Sequence, residues 1–444
     1  MAQLGFVSTQ KQEQGVINIS FDEHISGMLF DYSKFDRPFD DYPLLQRYFL
    51  NGQVQVINNL AEASVLGLNE SGFMNGVPLY HIQQFYQYVG KDAQLYIMFA
   101  SCADDDGTIN FDAIVDMQLA AGGKIFQLGV WTERPVWMMD EGKITFTNLI
   151  GHIQSKAEVL TGAINKHDYS SSPLSIILTA CTTMLAEGSD HPYEIDYRKL
   201  PEGVSMECPK VSLVLGQNGT SEVHTMQSKN HNYTPVGLLG LTMACLTISC
   251  AEECIGHVEK YDLNKNDAYN AMELGFGTIK PDDFASSYMN PIDDIVLIRR
   301  NILAECGYIF PTTYEAKEAG VFFSNDQTLS DSDYGYIRLN RVMHKCKRIV
   351  KSVMLPRVKS VIYIDPNSGK LSNSDVSEIT SSIISALDFY LVNDEGKNQV
   401  DGRNVYISEE QHILEDDNLE ISVTIVPAGA AESITENETY SLEN

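Results

Sequence analysis

Positive charge is scarce in this sequence: 31 Lys and Arg stand against 60 Asp and Glu, a formal net charge of -29 over 444 residues. Affinity for phosphate backbones is built from clustered cations, so the balance argues against a nucleic-acid binder. Glycine-rich phosphate loops are missing too. "LGFGTIK" supplies a single G-x-G, and "AGGKIF" lacks both the spaced glycine and the hydroxyl after lysine that a phosphate cradle uses. A nucleophile elbow needs glycines on both sides of its serine, and "GVSME" from Gly203 lacks the second.

The eight cysteines include no Cys-x-x-Cys pair, which implies reduced, mostly packed thiols. The opening "MAQLGFVSTQKQEQG" has no basic region followed by an apolar run, so no secretory signal is expected and folding in a cytoplasm is implied. The longest apolar stretch, "TPVGLLGLTMACLTISCAEECIGHV" from Thr234, is broken by polar residues and by Glu252-Glu253; it reads as a buried core helix too short for a membrane span.

What is present is an ordinary globular composition, 43% hydrophobic and 20% charged, in a chain long enough for two or three domains. Strand-like and helix-like runs alternate through the first half. "QVQVINN", "QLYIMFA", "KIFQLGVW" and "LSIILTA" read as strands; "LAEASVLGL", "PLYHIQQFYQYVG", "FDAIVDMQLAAGG" and "FTNLIGHIQSKAEVLTGAINKH" read as helices. Apolar strands separated by helices predict an α/β fold around a mainly parallel sheet covered on both faces. "KVSLVLGQ" adds a strand, and a fresh strand-rich unit is expected from Ile295, with "GYIFPTTY", the strand "SVIYIDP" and the helix "SDVSEITSSIISALDFYLV".

Several residue groups are candidates for a site. Cys250, Cys254 and His257 would share one helix face at i, i+4 and i+7, although burial of cysteine in an apolar helix explains them without a metal. "DLNKNDAYNAME" from Asp262 matches calcium-loop positions but has Asp267 where the sharp turn needs glycine, and "CADDDGTINFDA" lacks the end ligands. From Arg338 to Lys359 the chain holds eight Lys or Arg and no acid; Arg341, Lys345 and Arg348 form a stripe beside Lys347 and Lys351. Such a face is either solvated or covered by something acidic. Near the end, "NLEISVTIVPAGAAE" alternates Leu419, Ile421, Val423 and Ile425 with polar residues, the period of a strand with one buried face.

"GYIFPTTYEAKEAGVFFSNDQTLS", "DYGYIRLNRVMHKCKRIVKSVMLPRVKS", "IYIDPNSGKLS" and "LEISVTIVPAGAAESI", with the earlier "GMLFDYS", "PLYHIQQFYQYVGKDAQLYIMFA" and "CAEECIGHVEKYDL", carry a resemblance to contractile tail sheath proteins of phages and phage-like injection systems, especially a sheath-like family of Bacteroidetes and their phages. The resemblance implies a structural protein with no catalytic role, no cofactor and no bound metal. It implies an N-terminal extended arm (1–22), an α/β domain (23–186), an insertion with a long core helix (187–294), a C-terminal α/β sheath core (295–418) and a C-terminal strand and arm (419–444). Val16, Ile17, Ile19, Ile421, Val423, Ile425, Tyr440 and Leu442 would then lie on arms that add strands to neighbouring subunits, in hexameric rings stacked as a helical lattice. Arg341, Lys345, Lys347, Arg348 and Lys351 would contact an acidic inner tube, by ion pairs individually weak enough to release. Partners would be further copies, the tube protein, and baseplate and tail-terminator proteins, assembled in a bacterial cytoplasm without nucleic acid or membrane insertion. A cytosolic α/β enzyme with a thiol or Cys/His metal site, and a ring-forming baseplate or terminator component, remain the alternatives.

Overall fold

The computed structural model describes residues 21–104, 107–162, 172–180, 200–216, 222–223, 226, 236–264, 302–314, 320–365, 370–392, 398–411 and 418–429, and the backbone of 183–185, 192–194, 217–218, 274–278 and 288–291. The body is built on a seven-stranded sheet. Strand β1 (Ser26–Asp31) is central, β2 (Gln55–Ile57) is an antiparallel edge, and β3 (Leu95–Ala100) and β4 (Gln127–Trp131) flank β1 in parallel. A hairpin of β5 (Trp137–Asp140) and β6 (Lys143–Phe146) turns at Glu141-Gly142, both with positive φ. Strand β7 (Ser175–Ala180) rejoins the sheet, β8 (Thr183–Leu185) and β9 (Pro192–Glu194) pair with each other, and β10 (Val211–Leu215) continues the parallel order. Strands β11 (Gln217–Asn218), β12 (Leu274–Thr278) and β13 (Tyr288–Pro291) form a small antiparallel sheet. Strand β14 (Tyr308–Ile309) then closes the far edge of the main sheet, giving the order β14-β10-β7-β4-β1-β3-β2. "GYIFPTTY", expected to open a separate unit, thus completes the first one; its end, β15 (Pro311–Thr312), pairs with β16 (Phe322–Phe323).

Near-continuous apolar strands demand cover on both faces. Along β1 and β3, Met28, Phe30, Ile97 and Phe99 enter one core and Leu29, Tyr96 and Met98 the other. The first core is covered by α1 (Pro43–Phe49), α2 (Leu60–Val65) and α3 (Val77–Val89), the second by α4 (Asp112–Ala120) and α5 (Leu149–Val159). Helix α6 (Leu239–Ile248), buried from Leu239 to Thr247, lies on the first face and packs against α3. Close crossing requires Gly240, because a Cβ there would stand 2.2 Å from the His81 carbonyl oxygen. His81 seals the crossing: its Nε2–H donates to the Val236 carbonyl at 2.9 Å and its Nδ1 accepts the Gly240 N–H at 3.2 Å. Burial pushes its pKa down to about 3, so the ring is neutral.

The C-terminal portion adds α7 (Ile337–Met354), α8 (Asn373–Leu387) continuing into a π-helical turn over 388–392, and a hairpin of β17 (Val400–Tyr406) and β18 (Ser422–Pro427). Val342, Ile349, Ile379, Ile383, Val400 and Val405 form its own core. The expected strand "SVIYIDP" is absent: Ile364 makes one isolated bridge to Leu371, and Val361 and Tyr363 are exposed.

Candidate functional site

The basic segment forms α7, which buries an apolar stripe of Val342, Cys346, Ile349 and Val350. The cationic stripe does not face solvent. Arg338, Arg341, Lys345, Arg348 and Lys351 are buried as well, Arg341 at 0% exposure and Arg348 at 1%, and Lys347 is half-buried. These side chains therefore form no exposed basic patch for an inner tube, and the contact expected from the sequence is corrected.

Their partners explain the burial. Helix α7 runs across the edge of the parallel sheet where strands begin, and its cations reach backbone carbonyls just upstream of those strands. Arg348 donates to the carbonyls of Gly123 at 2.6 Å, Ile125 at 2.5 Å and Pro173 at 3.0 Å, before β4 and β7, and stacks 4.0 Å over the Phe126 ring. Lys351 donates to Ser172 Oγ at 3.1 Å and Lys347 to the Thr161 carbonyl. Arg341 caps the C-terminus of α6, donating to the carbonyls of Leu246 (3.0 Å), Ser249 (3.0 Å) and Cys250 (3.1 Å), to Ser249 Oγ (2.7 Å) and to the Glu23 carbonyl (3.1 Å). A guanidinium at a helix C-terminus meets both orphan carbonyls and the negative end of the dipole. The missing acids of the sequence pattern are thus replaced by main-chain oxygens.

Two carboxylates join them: buried Asp326 pairs with Arg338, and Glu23 is the other. Glu23, just upstream of β1, is 5% exposed and pairs with Lys345 Nζ at 3.1 Å, while Gln399 Nε2 donates to it at 2.9 Å. Burial alone would raise its pKa, but Lys345, Gln399 and Arg341 together hold it below the usual carboxylate value. Nearby, Lys210 Nζ sits 2.9 Å from Asn340 Oδ1 and 3.1 Å from His344 Nε2. Burial, then Lys210, Arg348, Lys347 and Arg341, push His344 well below its ordinary pKa. Burial pushes Lys210 down to about 8.

The question of what the terminal alternating strand pairs with has an answer within the chain. Val423 faces Val405 and Ile425 faces Arg403 across the antiparallel β17–β18 ladder. Val423 and Ile425 belong to this intramolecular hairpin and Ile421 immediately precedes it; all three rest half-buried on the C-terminal core and are not free arm residues. The hairpin has two strands only, and among the described residues neither outer edge carries a further strand. Tyr406 is 61% and Val426 53% exposed on it. An open edge of this kind offers unpaired backbone groups to another strand. Val16, Ile17, Ile19, Tyr440 and Leu442 lie outside the described residues.

The Cys250, Cys254, His257 trio is not assembled, because α6 ends at Ile248 and Ser249 turns extended, which destroys the helical register. Among the described residues, Cys250, Glu252 and Glu253 bring ligand atoms within 4.8 Å of one another, but the Glu253 carboxylate already accepts from Lys260, Tyr261 and the Cys250 N–H. Thiol nucleophiles need a lowered pKa. Burial does the reverse here, raising Cys208 to about 11, Cys346 to about 12, and Cys102, Cys254 and Cys306 likewise upward.

No protein-family model matches the chain, and no curated protein matches it by sequence. Solved structures do. The contracted sheath complex of an extracellular contractile injection system, PVC, aligns with TM-score 0.52 at 9% identity, over 100% of this chain and 99% of that one. The six-fold symmetrised baseplate of the anti-feeding prophage aligns with TM-score 0.51 at 12% identity over the whole of both chains. The contracted helical sheath of the same prophage aligns with TM-score 0.50 at 11% identity over 98% and 99%. Matched end to end in both directions, with an α/β body and an appended C-terminal hairpin, this chain has the fold of the contractile-sheath structures.

Proposed function

We propose that the chain is the sheath subunit of a contractile injection particle. It would polymerise as stacked hexameric rings around an inner tube, between baseplate and terminator proteins, after assembly in a bacterial cytoplasm. The observation that carries this reading is the full-length fold match to chains of contracted sheaths. The open-edged β17–β18 hairpin supports it, since a two-stranded ribbon gains main-chain hydrogen bonds when a neighbour's extended segment is added. In this arrangement the hairpin receives strands, and the donors are the segments around Val16, Ile17 and Ile19 and around Tyr440 and Leu442 of other copies. The work of contraction comes from rearranging the lattice; the subunit itself carries no reaction.

Purified full-length protein examined by negative-stain microscopy, alone and with its candidate tube protein, tests this. Tubes with a helical repeat support it. Monomers at all concentrations and salt conditions would sink it. Rings that never stack would favour the second reading, a baseplate or terminator component, which the match to a baseplate structure keeps in view.

A further inference from the structure

The two roots of the terminal segments lie together. Phe21, at the N-terminal limit of the described chain, packs against Tyr390 with ring centroids 4.5 Å apart and planes tilted by 49°. Two residues later, Glu23 accepts from Gln399 Nε2 at 2.9 Å. At the other end, the Ala428 N–H donates to the Gln399 carbonyl at 3.1 Å, and Gln399's own N–H donates to the Leu391 carbonyl at 2.8 Å. Gln399 is 3% exposed. One buried residue therefore holds the start of β1, the end of β18 and the turn after α8, from positions 376 residues apart along the chain in the case of Glu23.

We infer that Gln399 is a positioning residue that ties the roots of both terminal segments into one joint, so that displacement of either root is transmitted to the other. The chemistry favours transmission over independent anchoring. A buried carboxylate tolerates little loosening, because each lost partner leaves charge uncompensated. Glu23 is held from three sides: Lys345 on its carboxylate, Gln399 on the same carboxylate, and Arg341 and Gln127 on its carbonyl, the latter at 3.0 Å. Pulling on residues upstream of Phe21 loads the Glu23–Gln399 bond. That load falls next on the main chain of Gln399, to which Ala428 is bonded. The inference deepens the sheath reading, on which only its use in assembly rests; the joint itself is testable on the isolated chain.

The test is amide hydrogen exchange on the full-length protein with Gln399→Met, which keeps the volume and removes the amide. Exchange at residues 24–27 and at Ala428 should both rise, on the order of tenfold, while Leu178 in the central sheet keeps its wild-type rate. A rise at one end alone, at neither, or by an equal factor at Leu178 would overturn the joint. If the Met variant does not fold, Gln399→Asn, one methylene shorter, breaks the same bond and is read by the same criteria. Assembly is scored separately. If wild-type protein forms no tubes, the sheath reading fails while the exchange data still decide the joint. If wild-type tubes form, and the variant with both roots loosened builds tubes of unchanged twist, the joint does not steer assembly and that part of the inference is overturned.

Discussion

The central sheet and the C-terminal hairpin solve the strand problem in opposite ways. Strands β1, β3, β4, β7 and β10 are buried at every position and paired on both sides, so their backbone and side-chain demands are met inside the chain. Strand β18 alternates exposed and half-buried residues, has one partner, and rests on a small core of its own. The difference teaches where self-sufficiency ends. The sheet is a finished object that folding alone completes, whereas among the described residues the hairpin leaves both outer edges open. Between them stands α7, whose buried cations are the mechanical link.

Four experiments break or sharpen that contrast. Arg341→Met attacks the link and should have the largest effect, about 3–5 kcal/mol of unfolding free energy, since it strips donors from the carbonyls of Glu23, Leu246, Ser249 and Cys250. Limited proteolysis should then cut between α7 and α8 before it touches the sheet; simultaneous loss of both would show that the two regions are one cooperative unit.

Gly240→Ala attacks the finished region. With a Cβ forced to 2.2 Å from the His81 carbonyl oxygen, α3 and α6 must separate, at a cost of about 3 kcal/mol by urea denaturation. A variant of wild-type stability would mean that the crossing is not close-packed.

Acidification comes next. His81 and His344 have folded pKa values depressed below the ordinary 6.5, so the unfolded chain takes up protons that the folded chain refuses. Their contribution is fully present above about pH 6.5 and is lost as pH falls below it; for His81, whose folded pKa is about 3, the loss is roughly 2 kcal/mol at pH 5. Glu23, depressed from 4.5, adds a further loss only below that value. His81→Gln should flatten the decline of melting temperature between pH 6.5 and 5, and an unchanged slope would count against the buried neutral ring.

The smallest effect on the monomer is expected at the hairpin. Val426→Lys, at a 53% exposed position, should change stability by less than about 0.5 kcal/mol yet abolish tube formation, because edge lysines block strand addition. Tubes at wild-type concentration would show that this edge is not used.

Much of this fold can be read from the sequence because period and composition carry it. "QLYIMFA", "KIFQLGVW", "LSIILTA" and "KVSLVLGQ" all lie in the parallel sheet. The central strand β1 escapes, since "SGMLFD" is short and opens on Ser26 and Gly27; a Cβ at that glycine would press at 3.1 Å on the side-chain ends of Ile125, Leu128 and Met117. Strand β17 escapes for a related reason, with Asp401, Gly402, Arg403 and Asn404 breaking its apolar pattern. "SVIYIDP" errs the other way: alternation is necessary for a half-buried strand, but a partner strand must be present, and among the described residues this segment makes only the isolated Ile364–Leu371 bridge.

The site is harder to read. Helical spacing shows that Arg341, Lys345 and Arg348 share a face, but it does not tell which way the face turns. A carboxylate partner leaves a letter in the sequence; a carbonyl partner leaves none, and six of the acceptors of Arg341 and Arg348 are carbonyls other than that of Glu23. Buried arginines coordinated by main chain are therefore invisible to charge patterning.

Glu23 is made long before the residues that hold it. Its carbonyl waits for Arg341, 318 residues later, its carboxylate for Lys345, 322 later, and for Gln399, 376 later. At ordinary rates of synthesis the interval is roughly 20 s to a minute. Until then Glu23 lacks these three partners, and arrival of α7 and the residues before β17 completes the closure. The anchor just upstream of the central strand is therefore set only after α7 and Gln399 have been made.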